Sequence, residues 1–251
     1  MSRLSKKQIA DHREAERLLT LDRLSDDQRE FVLNNWQESA TNINSAAGAF
    51  FTPVDLAPSV VCYINGAEKI IDLCAGIGCL GLHSWWHSNG KADVTCIELN
   101  PTYVAVGRKI FPEATWICAS VVEAAGSYDA VISNPPFGKT AKIVGPRYSG
   151  EDDLAVVDIA SDLADFGTFI LPNGSVPFEY SGRTHYSERP SDKYTRFNKR
   201  TSIELTCEST DAEFARGLWR GVAPRVEIAS ADFATARELR AVADMPLFQA
   251  A

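Results

Sequence analysis

Apolar positions follow two different patterns along the chain. Near the N-terminus they recur at the three- and four-residue spacing of amphipathic helices, behind Ser-x-x-Gln capping boxes at Ser5 and Ser25. This spacing predicts helices over about 5–20 and 25–40, with a small-residue linker after them. From residue 69 onward, short β-branched runs alternate with helical stretches. Such alternation is typical of parallel strands joined by crossover helices, so the chain predicts a sheet covered on both faces.

The alternating part of the chain gives a definite order of elements. The predicted strands are 69–73, 94–98, 115–118, 129–133 and 168–171, and the predicted helices between them are 80–88, 101–111 and 152–165. Two further apolar runs, 203–207 and 226–229, predict an antiparallel hairpin at the edge of the sheet, with a helix near 210–219 between them. The pattern as a whole therefore predicts an α/β fold preceded by a helical extension.

Hydropathy, the charge of the N-terminus and the cysteine and histidine spacing narrow the possible classes of protein. No run reaches the roughly 18 apolar residues of a membrane span, so we expect no membrane anchor. The N-terminus is too charged for a secretory signal, which predicts a cytoplasmic location. The six cysteines form no CxxC pair, and His83 and His87 have no acidic residue between them. We therefore expect no metal site.

Residues 70–81 combine an apolar strand, a glycine-rich turn and the start of a helix. Gly76 and Gly78 allow backbone angles that let the turn press against a ligand, and the helix offers unpaired N–H groups. Glu98 ends the next predicted strand, where a carboxylate can accept both hydroxyls of a ribose. These features predict a ribose-bearing cofactor. Because Gly76, Gly78 and Gly81 also satisfy GxGxxG, a nicotinamide dehydrogenase is an alternative at this point.

The sequence Asn134-Pro135-Pro136-Phe137 stands at the carboxyl end of the strand 129–133. The two prolines end the strand and fix a rigid turn, which holds the Asn134 amide oxygen and the Pro135 carbonyl as two acceptors. Two acceptors that grip the hydrogens of an aromatic amino group localise its lone pair, and Phe137 offers a face on which a planar base stacks. This arrangement suits methyl transfer from a sulfonium donor to an exocyclic amino nitrogen, and a dehydrogenase has no use for it.

These motifs resemble those of Rossmann-like amino-group methyltransferases, and among them the N6-adenine DNA methyltransferases. The resembling segments are AGAFFTP at 47–53, DLCAGIG at 72–78, CIELNP at 96–101 and SNPPFG at 133–138. The resemblance covers about residues 47–175. It implies a mainly parallel, seven-stranded Rossmann-like methyltransferase sheet with helices on both faces, with an N-terminal helical extension over 1–46 and a methyltransferase domain over 47–251. It also implies S-adenosylmethionine as the cofactor.

The resemblance further implies which residues form the site. The implied cofactor contacts are Phe51, Thr52, Pro53, Asp72, Ala75, Gly76, Gly78, Glu98, Ser120 and Asn134. Ser120 stands where the family usually has an aspartate for the adenine ring of the cofactor. The implied catalytic residues are Asn134, Pro135, Pro136 and Phe137.

Basic residues gather in two segments of a chain whose net charge is −8. The segment 138–148 carries three basic residues and no acidic one, and 183–200 carries six basic against two acidic residues, interleaved with aromatic ones. This mixture is typical of surfaces that grip phosphates and stack on unpaired bases. We predict a substrate-binding loop at 180–202. The predicted substrate contacts are Lys139, Lys142, Arg147, Arg183, Tyr186, Tyr194, Arg196, Lys199 and Arg200.

The sequence therefore predicts transfer of a methyl group from S-adenosylmethionine to the N6 amino group of adenine in DNA. A methyltransferase acting on an amino group of rRNA or on a protein glutamine is an alternative, because related tetrapeptides occur in such enzymes. A non-catalytic subunit that binds cofactor or DNA is a further alternative, although the intact Asn134 and Phe137 argue against it.

Overall fold

The computed structural model describes residues 5–37, 50–220 and 222–243. The predicted linker at 41–49, the end of the second predicted helix at 38–40 and the predicted boundary between 46 and 47 lie outside these ranges. Within the described ranges, no helix has both the length and the apolar character needed to cross a membrane.

Two helices open the described chain, as the capping boxes predict. Helix α1 spans Lys6–Leu18 and helix α2 spans Asp26–Asn35. At each start the serine side chain accepts a hydrogen bond from the backbone of the glutamine three residues later, and that glutamine side chain accepts one from the serine backbone. Both helices pack into the protein core through Ala15, Leu18 and Leu33, so the extension contacts the sheet domain directly.

A seven-stranded, mainly parallel sheet forms the centre of the molecule, which confirms the predicted fold class. The strands of the chain are β1 (Lys69–Leu73), β2 (Asp93–Glu98), β3 (Thr115–Cys118), β4 (Tyr128–Ser133), β5 (Ala164–Pro172), β6 (Phe178–Glu179), β7 (Ser187–Glu188), β8 (Thr206–Cys207) and β9 (Val226–Asp232). Their order in the main sheet is β3-β2-β1-β4-β5-β9-β8, where β9 runs antiparallel to both of its neighbours. Strands β6 and β7 form a separate hairpin.

Helices cover both faces of the sheet. The remaining helices are α3 (Ala57–Val61), α4 (Cys79–His87), α5 (Pro101–Ile110), α6 (Asp152–Ala160), α7 (Asp192–Thr201) and α8 (Phe233–Ala243). Neighbouring residues of one strand enter different cores: Ile70 packs on the face with α1 to α5, and Ile71 packs on the face with α6 and α8. Because β1 is covered on both sides, its residues 70–73 are all buried and show no alternation between a buried and an exposed face.

Several predicted element bounds are wrong near the sheet edge. Helix α6 ends at Ala160, and β5 begins at Ala164, because Ala164 already pairs with Tyr128 of β4. The predicted edge hairpin exists, but β8 contributes only two residues and β9 lies between it and β5. The predicted helix at 210–219 is a short 3-10 turn over Ala212–Ala215.

The segment 180–202 is not an open loop, which corrects its prediction as one. It contains β7 and the amphipathic helix α7, whose first turn is capped by the Ser191 side chain. Tyr194, Phe197 and Thr201 have helical spacing and form the buried face of α7, where Phe197 packs edge-on against Tyr148 at 5.3 Å between ring centres. The sequence predicts that the aromatic residues of this segment stack on bases. Two of them, Tyr194 and Phe197, are instead buried and hold the helix to the core.

Candidate active site

A cavity of about 470 Å³ opens at the carboxyl end of the parallel strands. Asp72 of β1, Glu98 at the end of β2 and Asn134 after β4 all line it. Parallel strands bring their carboxyl ends to one edge, which is why residues far apart in sequence meet here. The volume suits a nucleoside-sized ligand.

The glycine turn after β1 forms one wall of this cavity through its backbone. Gly76 and Gly78 have φ angles of 58° and 90°, which side chains rarely adopt. A β-carbon at Gly76 would lie 3.3 Å from Phe51, and one at Gly78 would lie 2.9 Å from Trp116. Gly78 is also the residue that caps α4. The turn therefore needs glycine both for its backbone angles and for its close packing.

Asp72 is a buried acid at the base of the glycine turn. Its side chain lines the cavity, and its Oδ2 accepts the backbone N–H of Gly81 at 2.8 Å in the first turn of α4. Burial raises the pKa of Asp72 to about 8, and the nearby carboxylate of Glu98 contributes to that rise. At neutral pH the Asp72 carboxyl is therefore mostly protonated.

Glu98 ties β2 to the glycine turn. Its Oε2 accepts the Gly76 N–H at 2.9 Å, and its Oε1 accepts the Asn100 N–H at 2.8 Å. Burial raises the pKa of Glu98 above its ordinary value, although these backbone hydrogen bonds oppose the rise. Each carboxylate oxygen has a second lone pair, so Glu98 can accept hydrogen bonds from a ligand in the cavity as well.

The Asn134 side chain is oriented by the segment that precedes the first strand. Its amide nitrogen donates to the Phe50 carbonyl at 2.8 Å and to the Thr52 hydroxyl at 3.1 Å. Its Oδ1 is buried and has no hydrogen-bond partner among the described residues. A buried acceptor without a donor costs free energy, so this oxygen is suited to a ligand that brings an N–H or O–H group.

Phe137 stands between two other aromatic side chains. Its ring centre lies 6.3 Å from that of Phe50 and 6.5 Å from that of Trp219, with tilted planes in both pairs. The sequence prediction did not include Trp219, because it lies between β8 and β9 in a segment without a motif. Phe50 lines the cavity, whereas Phe137 and Trp219 are not part of its wall.

The segment 138–148 after Phe137 is held by three buried aspartates of α6. Asp152 accepts the N–H groups of Ala141 and Ile143, both at 2.7 Å, and these two residues line the cavity. The further backbone bonds run from Gly138 to Asp153 and from Arg147 and Tyr148 to Asp158. Between the two residues bound by Asp152, Lys142 adopts a left-handed φ of 56° and is exposed.

Two of the three predicted substrate contacts in the segment 138–148 are paired with acidic residues. Arg147 is paired with Asp158 of α6 and with Asp162 just after that helix, and Lys139 lies 3.7 Å from Glu151. Lys142 forms no ion pair with any described residue. The positive charge available to a substrate from this segment is therefore centred on Lys142.

The cations of the second basic segment also differ in their pairing. Arg183 pairs with Glu179, and Tyr186 stacks on Phe178 with 6.1 Å between ring centres. Arg196, Lys199 and Arg200 are exposed on α7, and within the described chain none of them forms an ion pair.

The cavity wall unites many of the predicted cofactor contacts and adds new ones. Of the predicted residues, Phe51, Thr52, Asp72, Ala75, Gly76, Glu98, Ser120, Asn134 and Pro136 line the cavity, whereas Pro53, Gly78, Pro135 and Phe137 do not. Residues absent from the prediction include Leu33, Phe50, Cys74, Leu99, Tyr103 and Ile143. In the described parts of the chain, no group of three or more His, Cys, Asp or Glu residues is placed to hold a metal ion.

The sheet order, with the glycine turn after β1 and the acidic end of β2, is that of the Rossmann-like methyltransferase fold. An Asn-Pro-Pro-Phe turn follows β4. Consistent with that fold, residues 56–145 match the family described as Methyltransferase small domain. The match includes β1 to β4 and the tetrapeptide after β4.

Solved structures share this fold at low sequence identity. A candidate RNA methyltransferase from Pyrococcus horikoshii is 17% identical with a TM-score of 0.53, and the alignment covers 91% of this chain and 98% of that one. A methyltransferase subunit of a type I restriction-modification system from Streptococcus thermophilus is 13% identical with a TM-score of 0.57, over 82% of this chain and 48% of that one.

A third similar structure is a candidate class I S-adenosylmethionine-dependent methyltransferase from Listeria monocytogenes. It is 13% identical with a TM-score of 0.55, over 83% of this chain and 68% of that one. No curated protein sequence matches the chain significantly.

S-adenosylmethionine is the cofactor of this class, and the cavity fits it. Gly76 and Glu98 line the cavity side by side, and the Glu98 carboxylate can accept the hydroxyl groups of the cofactor's ribose. When bound, the cofactor supplies an electrophilic methyl group on a sulfonium.

The protonation of Asp72 predicts that cofactor affinity depends on pH. S-adenosylmethionine brings positive charge, which favours an ionised carboxylate, so we expect binding to release a proton where Asp72 is protonated beforehand. Because the pKa of Asp72 is about 8, we expect affinity to rise as pH increases from about 6 to about 8. Calorimetric titration in buffers of different ionisation enthalpy measures both affinity and proton release.

Asp72→Asn separates this effect from other titrations. The asparagine oxygen can still accept the Gly81 N–H, but it cannot ionise. The variant should therefore lose most of the pH dependence and the associated proton release. An equal pH dependence in variant and wild type would assign the titration to another group.

Proposed function

We propose that this protein transfers a methyl group from S-adenosylmethionine to the N6 amino group of adenine in DNA. The observation that carries the proposal is the Asn134 amide, whose nitrogen is fixed by Phe50 and Thr52 while its buried Oδ1 has no partner among the described residues. An anchored amide with a free acceptor is suited to receive one hydrogen of an amino group. The second acceptor in this proposal is the Pro135 carbonyl, one residue further along the rigid turn.

The proposed chemistry needs positioning more than it needs a strong base. The two acceptors hold the hydrogens of the adenine amino group, and so pull its nitrogen toward tetrahedral geometry and localise the lone pair. That pair forms the new N–C bond to the methyl group while the S–C bond breaks and its electrons remain on sulfur. The nitrogen then loses a proton to solvent. Phe137, backed by Trp219, would offer the face on which the base lies.

Two of the similar structures support nucleic acid as the substrate class. One is described as a candidate RNA methyltransferase, and the other is a subunit of a type I restriction-modification system. The segment Phe50–Pro53 supports DNA, because it resembles the motif found in N6-adenine DNA methyltransferases. RNA is the second candidate, supported by the Pyrococcus horikoshii similarity.

Helix α7 is the proposed contact for the phosphate backbone. Its aromatic residues Tyr194 and Phe197 are buried, so the helix has little to offer unpaired bases. Its exposed cations, together with Lys142, are suited to phosphates, which carry no sequence information. We therefore propose that α7 contributes affinity and orientation rather than recognition of a target sequence. An adenine within a duplex would be flipped into the site at a cost of a few kcal/mol.

Methylation of separate substrate pools tests the function. The protein is incubated with methyl-labelled S-adenosylmethionine and with DNA, rRNA or protein, and the digested products are resolved by mass. We expect label in DNA as N6-methyladenine. Label in an rRNA nucleoside or in glutamine would replace the proposed substrate, and cofactor binding without methyl transfer to any pool would favour the non-catalytic alternative.

Neutralising Arg196, Lys199 and Arg200 together should weaken DNA binding and reduce its salt dependence. Each lost phosphate contact lowers the slope of log affinity against log salt by about 0.9, so three contacts lower it by about 2–3. Affinity for S-adenosylmethionine should stay unchanged, because these residues lie outside the cavity wall. Fluorescence anisotropy across a salt series provides the measurement.

A matched variant separates position from net charge. Lys6, Lys7 and Arg13 are exposed on α1, and their replacement by alanine removes the same charge from another element. If both triple variants lose affinity equally, only the net charge of the protein is involved and α7 is not the contact.

A further inference from the structure

The C-terminal end of α2 forms part of the cofactor cavity. Leu33 lines the cavity, and Trp36, the residue after α2, packs against two other side chains of the wall. Its ring centre lies 6.0 Å from that of Phe51 and 6.1 Å from that of Tyr103. The N-terminal extension therefore contributes to the shape of the cofactor site and is more than an appendage of the sheet domain.

Arg220 holds this wall from the opposite end of the sequence. Its guanidinium donates hydrogen bonds to the carbonyls of Leu33 and Trp36, at the end of α2 where carbonyl groups have no partner within the helix. The same guanidinium lies over the ring of Phe51, 5.5 Å from its centre. One side chain thus contacts both the end of α2 and an aromatic wall residue.

The pairing of Arg220 differs from that of other anchoring arginines. Arg29 pairs with Glu113 and Arg237 pairs with Asp165, whereas Arg220 has no carboxylate partner among the described residues. Burial lowers the pKa of Arg220 to about 10, so it stays charged at neutral pH. Its partners are carbonyls at a helix end and an aromatic face. A planar guanidinium can donate to the carbonyls and lie over the ring at the same time, whereas the ammonium group of a lysine cannot.

We propose that Arg220 is a positioning residue for S-adenosylmethionine, which fixes α2 and Phe51 as one wall of the cofactor cavity. Arg220 is not itself part of the wall. Its effect on the cofactor is therefore indirect, through Leu33, Trp36 and Phe51. The inference rests on the cofactor alone and is independent of which substrate accepts the methyl group.

Arg220→Leu should weaken S-adenosylmethionine binding by about tenfold, equivalent to ~1.4 kcal/mol, because the wall loses its anchor. The affinity of Arg220→Lys for S-adenosylmethionine should lie between those of Arg220→Leu and wild type, since lysine donates to carbonyls but lacks the planar group over Phe51. The single-turnover rate at saturating cofactor should stay within about threefold of wild type, because Asn134 keeps its own anchors. Calorimetry provides the dissociation constants.

Arg237→Leu is the matched control. Arg237 also donates to backbone carbonyls, those of Ser161 at the end of α6 and Ala164 at the start of β5, but on the other face of the sheet. We expect this variant to melt at a lower temperature with unchanged cofactor affinity. The proposal is overturned if Arg220→Leu binds the cofactor like wild type, or if Arg237→Leu weakens binding equally.

If Arg220→Leu does not fold, the cofactor affinity of Arg220→Lys tests the proposal instead. Wild-type affinity in Arg220→Lys overturns the role proposed for the contact between Arg220 and Phe51. A wild-type protein that binds S-adenosylmethionine but methylates no DNA refutes the proposed substrate and leaves this inference intact.

Discussion

Asn134→Ala should reduce the rate of methyl transfer by about 10²–10³ while the fold and the cofactor affinity stay close to wild type. The variant removes an acceptor whose hydrogen bond is expected to strengthen as the amino nitrogen becomes tetrahedral, and such differential binding acts on the chemical step. It also frees the Phe50 carbonyl and the Thr52 hydroxyl, which are near enough to the cavity to find other partners. Single-turnover kinetics at saturating cofactor measures the chemical step directly.

Ser133→Ala is the control for local disturbance next to Asn134. Ser133 is fully buried, and its hydroxyl donates to the Leu73 carbonyl at 2.5 Å, so its loss costs stability at the same strand end. We expect a lower melting temperature with most of the rate retained. Retention of most of the rate in Asn134→Ala would show that the amide is not the acceptor we propose.

Glu98→Ala should weaken S-adenosylmethionine binding by about 1–3 kcal/mol, the usual cost of losing hydrogen bonds to a charged group. The carboxylate has two roles in this expectation. It would accept hydrogen bonds from the ribose, and it holds the Gly76 and Asn100 N–H groups that shape the cavity. Glu98→Gln keeps one acceptor oxygen and should show an intermediate loss. Calorimetric titration of the three proteins gives the comparison.

Asp129→Ala serves as the control for this variant. Asp129 also accepts two backbone N–H groups, from Glu68 at 2.9 Å and Lys69 at 2.8 Å, but it does so at the start of β1, far from the cavity edge. Its loss should change stability without changing cofactor affinity. Wild-type affinity in Glu98→Ala would remove Glu98 from the cofactor site.

Much of the fold could be predicted because the central strands are recognisable in the sequence as short apolar runs. The apolar runs of β1 and β4 are buried on both faces, and a parallel sheet between two helical layers is the architecture that buries such runs. The sequence analysis did not predict helix α7, because its three buried residues stand among charged ones. The same sequence is also typical of a loop that is rich in basic and aromatic residues. The Ser191 cap and the burial of one face, with Phe197 packed on Tyr148, distinguish the helix from a loop.

The candidate site was predictable where a motif and a strand end coincide. Gly76, Glu98 and Asn134 all stand at such positions, and all three line the cavity. Asp152 was not predictable as an anchor, because an acid at the start of a helix usually faces solvent and the helix dipole. Trp219 and Arg220 belong to no motif, and they reach the site through contacts between distant parts of the chain.

The bond from Arg220 to Trp36 joins residues 184 positions apart, which has a consequence for synthesis on the ribosome. Translation adds about 5–20 residues per second, so the glycine turn and the Asn-Pro-Pro-Phe turn emerge seconds before residue 220 does. Nascent chains stalled before that residue contain β1 to β5 yet lack the side chain that fixes the α2 wall. Full affinity for the cofactor should therefore arise late, after most of the polypeptide has already left the exit tunnel.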